Sequence, residues 1–294
     1  MNDRVAPSTN LPASDAEFAR ALLASQETAI AAVEAAMPSI HAGAEALASA
    51  LRAGGRIVYA GAGSSGLIAA QDGAELAGTF GLEPEQIVLV MAGGVAEAFA
   101  IDAAAEDDEA AAARDMEAAG VGAADVVIAV SASGATPYTL ACGRTARARG
   151  ARLIGLANRH DAPLLALADA PIFLDSGAEA LHGSTRLAAG TAQKAALGLL
   201  STLANARLGH VWRGHMVNMR PQNAKLRRRA AHIVAALTGV SEERAGACLA
   251  QAGDDLKSAI LIASGAPSRG AALESLARTG GQLGLALSIL KECA

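Results

Sequence analysis

RIVYAGAGSSG (56–66) reads as a short β-branched run that ends in glycine and opens a helix. The same unit recurs as QIVLVMAGG (86–94), DVVIAVSASG (125–134) and RLIGLANR (152–159), with helical sequence between copies, and APIFLDS (170–176) is a fifth apolar run. Strand, glycine-rich turn and helix in repetition predict an α/β fold, a doubly wound parallel sheet of about five strands. Strands covered on both faces need no apolar–polar alternation, and these show none. In such sheets the ligand lies beyond the carboxyl ends of the strands, so GAGSSG, AGG and SASGATPY are where chemistry is expected.

On either side the pattern is helical. Apolar positions recur at helical spacing from Asp15 to about Ala53, with Ser14 or Asp15 as N-cap, whereas residues 1–14 read as disordered. Past His182 the chain becomes helical again, through GTAQKAALGLLSTLANARLG (190–209) and the basic stretch 210–230. We take 15–236 as one α/β domain with flanking helices, and 237–294 as a small appendage of three helices. The basic run, with Arg220, Lys225, Arg227, Arg228 and Arg229, is read as a solvated helix face.

Composition narrows the function. Of 294 residues, 52% are hydrophobic, 18% charged and 2% aromatic, and the formal net charge is -5. Apolar content on this scale excludes overall disorder, and an acidic chain with few stacking rings does not fit nucleic-acid binding. The charge-free run from Val126 to Cys142 is interrupted by Ser131, Ser133, Gly134 and Pro137, unlike a membrane span. The first twenty residues lack the apolar run of a secretory signal, and Cys142, Cys248 and Cys293 fall in no metal-ligand spacing. A cytoplasmic protein without a disulfide framework is expected.

GAGSSG (61–66) offers close backbone approach at Gly63, and hydroxyls from Ser64 and Ser65 beside a helix N-terminus, which favours an anion. No Gly-Lys-Ser/Thr follows, so it is not a P-loop, and the next strand ends MAGG without the acidic residue that a dinucleotide ribose requires. SASGATPY (131–138) adds Ser131, Ser133 and Thr136 at a second strand tip. Two such loops can hold one phosphate with neutral donors; without a ligand, the same serines would simply cap helices. For acid–base work the candidates are Glu75 and the cluster Glu106-Asp107-Asp108-Glu109, and spacing alone does not choose among them.

GAGSSGLIAAQDGAELAGTFG (61–81), MAGG, AEDDE (105–109), SASGATPY and GAEALHGSTRLAAGTAQK (177–194) occur in the order and approximate spacing of one family. From about Gly54 to its C-terminus the chain resembles the N-acetylmuramic acid 6-phosphate etherases. These are sugar-isomerase-type (SIS) phosphosugar-binding proteins related to the glucokinase regulatory protein, with a ubiquitin-associated-like tail. The resemblance implies a metal-free lyase without cofactor, which removes the lactyl ether of a phosphorylated amino sugar to give N-acetylglucosamine 6-phosphate and D-lactate. It maps the family's proton donor onto Glu75 and its second catalytic glutamate, read as the base, onto Glu106. It also adds Ser184, Arg186 and Lys194 to the substrate-binding set. Relatives commonly carry arginine where this chain has Leu67 and Ala135, and lysine where it has Ala188. The other readings of this fold are a phosphosugar aldose–ketose isomerase and a non-catalytic phosphosugar-binding regulator.

If the helix after GAGSSG runs unbroken, Glu75 lies about ten residues along it, roughly 15 Å from the phosphate-binding end. A hexose phosphate is shorter. Either the helix breaks near Gly73 or Gly78, or Glu75 serves a site completed by another subunit. We expect a homodimer.

Overall fold

The computed structural model describes residues 14–96 and 103–292, so the N-terminal stretch read as disordered, apart from Ser14, and Cys293 lie outside the described residues. Two helices, α1 (Asp15–Ala35) and α2 (Met37–Arg52), precede the sheet. Ser14 caps α1 through its hydroxyl, which accepts from the Glu17 amide at 3.3 Å. The predicted single helical region is thus two helices that meet at Ala36, with Pro38 in the first turn of the second.

Every predicted strand forms: β1 (Ile57–Gly61), β2 (Ile87–Met91), β3 (Val126–Val130), β4 (Arg152–Ala157) and β5 (Ala170–Phe173). The intervening helices are α3 (Gly63–Phe80), α4 (Glu109–Ala118), α5 (Pro137–Ala148) and the short α6 (Pro163–Leu167). All pairings are parallel and the order is β2-β1-β3-β4-β5. β1 and β3 are buried along their whole length, which is why their sequences are continuously apolar. The chain leaves β1 toward β2 and returns to β3 on its other side, so the topological switch point lies between β1 and β3. Gly61 pairs with Val130 there. A side chain at Gly61 would meet the Gly66 Cα at 2.9 Å, so glycine at both positions lets α3 start hard against the end of β1.

Opposite the ligand end, Arg56 and Asp125 join β1 to β3. The guanidinium donates to Asp125 through Nε at 3.0 Å and Nη2 at 2.7 Å, and the Gly122 amide donates to the same carboxylate at 2.9 Å. Burial pushes the Asp125 carboxyl up, but Arg56 and the two backbone amides outweigh it and hold it below the ordinary range. A depressed carboxylate stabilises the fold above its unfolded-state value and loses that contribution as the pH falls through the folded one. Asp125→Ala leaves the guanidinium without its buried partner and is expected to cost about 3 kcal/mol at neutral pH. Urea unfolding at pH 7 checks this; a loss under about 1 kcal/mol would show the pair to be a surface interaction.

After β5 come α7 (Ala188–Arg207), a two-residue-per-strand hairpin of β6 (Val211–Trp212) and β7 (His215–Met216), then α8 (Ala224–Thr238), α9 (Glu242–Gln251), α10 (Leu256–Ala263), α11 (Arg269–Arg278) and α12 (Leu283–Glu292). The hairpin was not anticipated. Arg213 (φ 48°) and Gly214 (φ 76°) form its turn, both left-handed as a tight antiparallel connection requires. Four helices follow Thr238, not the three expected, because Gly280 (φ 59°) and Gly281 (φ 77°) break the last predicted helix in two. The basic residues Lys225, Arg227, Arg228 and Arg229 are exposed on α8.

The chain divides into two compact units, residues 1–74 with 85–203, and residues 75–84 with 204–294. The division differs from a boundary at 237: α8 and the hairpin group with the tail. The second unit has its own core, centred on α10, where Leu256–Ile262 are buried, with Val234, Cys248, Leu249 and Ala286 around it. Among the described residues, no helix is long and apolar enough to cross a membrane.

Candidate active site

Both serine loops open onto one cleft of about 260 Å³ at the carboxyl end of the sheet, beside the β1/β3 switch point. Gly63 begins α3 in the left-handed region (φ 53°), and Ser64 and Ser65 follow in its first turn. These three residues line the cleft, as do Ser131, Ser133 and Thr136 from the β3 loop. The second loop is held by its own hydroxyls. Ser131 Oγ accepts from the Gly134 amide at 3.0 Å and lies 2.9 Å from Thr136 Oγ1, while Ser133 Oγ accepts from the Ala135 amide at 3.1 Å. These bonds fix the turn that leads into α5, whose first-turn amides have no intrahelical acceptor. Neutral donors around a concave backbone suit a phosphate.

Glu106 enters from the 3₁₀ segment Ala103–Asp107, just before α4. Its carboxylate stands directly over Gly63: a Cβ there would lie 2.5 Å from Glu106 Oε1. Glycine at 63 therefore serves two needs, the positive φ and the space for this carboxylate. Burial, with a smaller contribution from neighbouring Asp107, pushes the Glu106 carboxyl above the ordinary glutamate value. A raised carboxyl is a stronger base than an ordinary one, which fits a proton-transfer role.

The third wall is the loop between β5 and α7, through Glu179, His182, Gly183 and Thr185. Glu179 accepts from the Ala188 amide at 2.9 Å and the Ala189 amide at 3.0 Å, one on each oxygen. It thereby caps α7 and anchors the loop. Behind it, Asn158 Nδ2 donates to the Leu174 carbonyl and Ser176 Oγ, both at 3.2 Å, and Gln193 Nε2 donates to Asn158 Oδ1 at 2.9 Å.

The cleft brings together Gly63, Ser64, Ser65, Glu106, Ser131, Ser133 and Thr136 of the expected set. It does not include Glu75, Ser184, Arg186 or Lys194 among its lining residues. Arg186 is exposed on the turn before α7. Lys194 lies two turns into α7 with its ammonium toward Gly198, 3.8 Å from where a Cβ there would stand. Glu75 is exposed on α3, which runs without a break through Gly73 and Gly78. Twelve residues beyond Gly63, it lies about 18 Å along the helix axis. Glu179, His182 and Thr185 were not foreseen as lining, although all three sit inside the quoted GAEALHGSTR run. Among the described residues, no three His, Cys, Asp or Glu side chains stand together as metal ligands.

A family model described as SIS domain matches residues 18–158. The N-acetylmuramic acid 6-phosphate etherase of Deinococcus radiodurans is 46% identical over 82% of this chain and 79% of its own. The enzyme of the same name from Streptomyces avermitilis is 41% identical over 92% of this chain and 88% of its own. Among solved structures, a phosphoheptose isomerase from Francisella tularensis superposes with a TM-score of 0.48 at 22% identity, covering 65% of this chain and 97% of that one. On the identity and coverage of its sequence relatives, the chain belongs to the N-acetylmuramic acid 6-phosphate etherase family.

Proposed function

We infer that this chain is a carbon–oxygen lyase that cleaves the D-lactyl ether of N-acetylmuramic acid 6-phosphate, giving N-acetylglucosamine 6-phosphate and D-lactate. One observation carries the reading beyond family membership. A carboxylate with a raised pKa, Glu106, faces the same small cleft as two hydroxyl-rich loops able to hold a phosphate.

The chemistry needs two proton transfers. In the open-chain aldehyde, the hydrogen on carbon 2 is acidified by the adjacent carbonyl, and Glu106 as base removes it. The electron pair moves toward the carbonyl and then expels the lactyl oxygen from carbon 3, which Glu75 as acid protonates as the bond breaks. The product is D-lactate and an unsaturated aldehyde. Water adds at carbon 3, giving up a proton, while carbon 2 regains one, so the net change is the addition of one water. In this scheme Ser64, Ser65, Ser131, Ser133 and Thr136 hold the phosphate; Ser184, Arg186 and Lys194 remain binding residues only if a partner subunit brings them to a cleft.

The length of α3 supports a homodimer. An unbroken helix carries Glu75 about 18 Å from the phosphate loop, farther than a hexose phosphate reaches, so the acid comes from the partner protomer. Both described cysteines, Cys142 and Cys248, are buried and free, which supports a reducing compartment, the cytoplasm.

A panel of sugar 6-phosphates assayed for products tests the reading. Equimolar D-lactate and N-acetylglucosamine 6-phosphate are expected from the muramic acid phosphate. Ketose formation without lactate would instead identify an isomerase, and ligand-induced thermal stabilisation without turnover a regulator.

A further inference from the structure

Positive charge has a single source in the described lining of the cleft. Its titratable side chains are Glu106, Glu179 and His182, and the remaining lining is Gly, Ala, Ser and Thr. Glu179 has both oxygens committed to the Ala188 and Ala189 amides. Arg186 and Lys194, the cations of the same sequence run, do not line the cleft. The substrate inferred above carries two anionic groups. The hydroxyls and amides at the starts of α3 and α5 suit the phosphate. They leave the lactyl carboxylate to enter a cleft that already holds two carboxylates, where an unpaired third would be repelled and desolvated at a cost.

We propose that His182 donates a hydrogen bond to the lactyl carboxylate and so selects the lactyl ether over the same sugar phosphate without it. This rests on the etherase reading and deepens it. The placement fits. His182 is exposed on the loop that Glu179 anchors to α7, next to Gly183, whose φ of 78° turns the chain there. It can remain solvated until a ligand enters, so no buried charge has to be maintained in the free protein. The charged groups that share the cleft with it are Glu106, from the turn before α4, and Glu179, from its own loop; the β1 and β3 loops bring only hydroxyls.

The test is steady-state lactate release by His182→Gln, His182→Arg and Arg186→Gln, with N-acetylglucosamine 6-phosphate binding followed by thermal shift. His182→Gln should raise KM about 10- to 100-fold, the range of a charge-assisted hydrogen bond. Its binding of N-acetylglucosamine 6-phosphate should match that of the unmodified protein. His182→Arg should keep a low KM, which no purely structural role predicts. An unchanged KM in His182→Gln would overturn the proposal. So would an equal loss of affinity for both sugars, which would place His182 on the phosphate, or a KM effect confined to Arg186→Gln. An unmodified protein that releases no lactate overturns the etherase reading itself, and this assignment with it.

Discussion

Replacing Glu106 by Gln will lower the rate of D-lactate release by about 10²- to 10⁴-fold, the usual contribution of a positioned acid or base. The amide keeps the size and the contact over Gly63 but cannot accept the carbon 2 proton. Exchange of the carbon 2 hydrogen with solvent deuterium should fall in parallel with lactate release, because the two share the first step. The fold should not suffer. Glu106 is raised above its ordinary value by burial, so its ionised form costs stability at neutral pH, and a neutral amide removes that cost. Thermal unfolding of Glu106→Gln at pH 7 should therefore match or exceed that of the unmodified protein. The same raised value places the acid limb of the kcat/KM profile above the ordinary glutamate range of about 4.3. Full carbon 2 exchange in Glu106→Gln would remove it from the role of base.

Much of this arrangement is legible in the sequence because a covered parallel sheet leaves a simple trace. β1 and β3 are buried throughout, so each strand is an uninterrupted apolar run, and each run ends in the small residues that a ligand loop needs. In such sheets a ligand lies beyond the carboxyl ends of the strands, which predicts the strand tips as the binding edge. What the sequence hides are contacts set by folding. Glu106 meets Gly63 from forty-three residues away, and nothing in the acidic cluster marks Glu106 rather than Glu109. Glu179 caps α7 from nine residues upstream, outside the first-turn spacing that reveals ordinary caps. Arg213-Gly214 lacks the Asn-Gly or Asp-Gly signal of a two-residue turn, so the hairpin it closes leaves no local mark in a basic stretch. The GAEALHGSTR run shows the same limit. Shared motif residues identify a family, but only the folded loop shows that His182 and Thr185 line the cleft while Arg186 is not among its lining residues.

Mixing inactive Glu75→Gln protein with inactive Glu106→Gln protein should restore activity to about a quarter of the unmodified rate, because each site of a two-fold dimer draws one glutamate from each chain. The argument starts from α3. It is continuous from Gly63 to Phe80, so no kink shortens the path from the phosphate loop to Glu75, and Glu75 is exposed and does not line its own chain's cleft. Glu106, by contrast, touches its own chain's Gly63. In a heterodimer one cleft then carries both substitutions and the other carries neither. Random exchange of equal amounts makes about half the dimers mixed, each with one complete cleft, hence the quarter. If both glutamates acted within one chain, every cleft in the mixture would lack one of them and no rescue would occur. The background in each single variant is expected to be at least about 10²-fold down, so even partial exchange would be visible. Heterodimer formation is verified independently with one variant affinity-tagged. Lack of rescue in a confirmed heterodimer would place Glu75 outside the partner's site and remove the reason for sharing it.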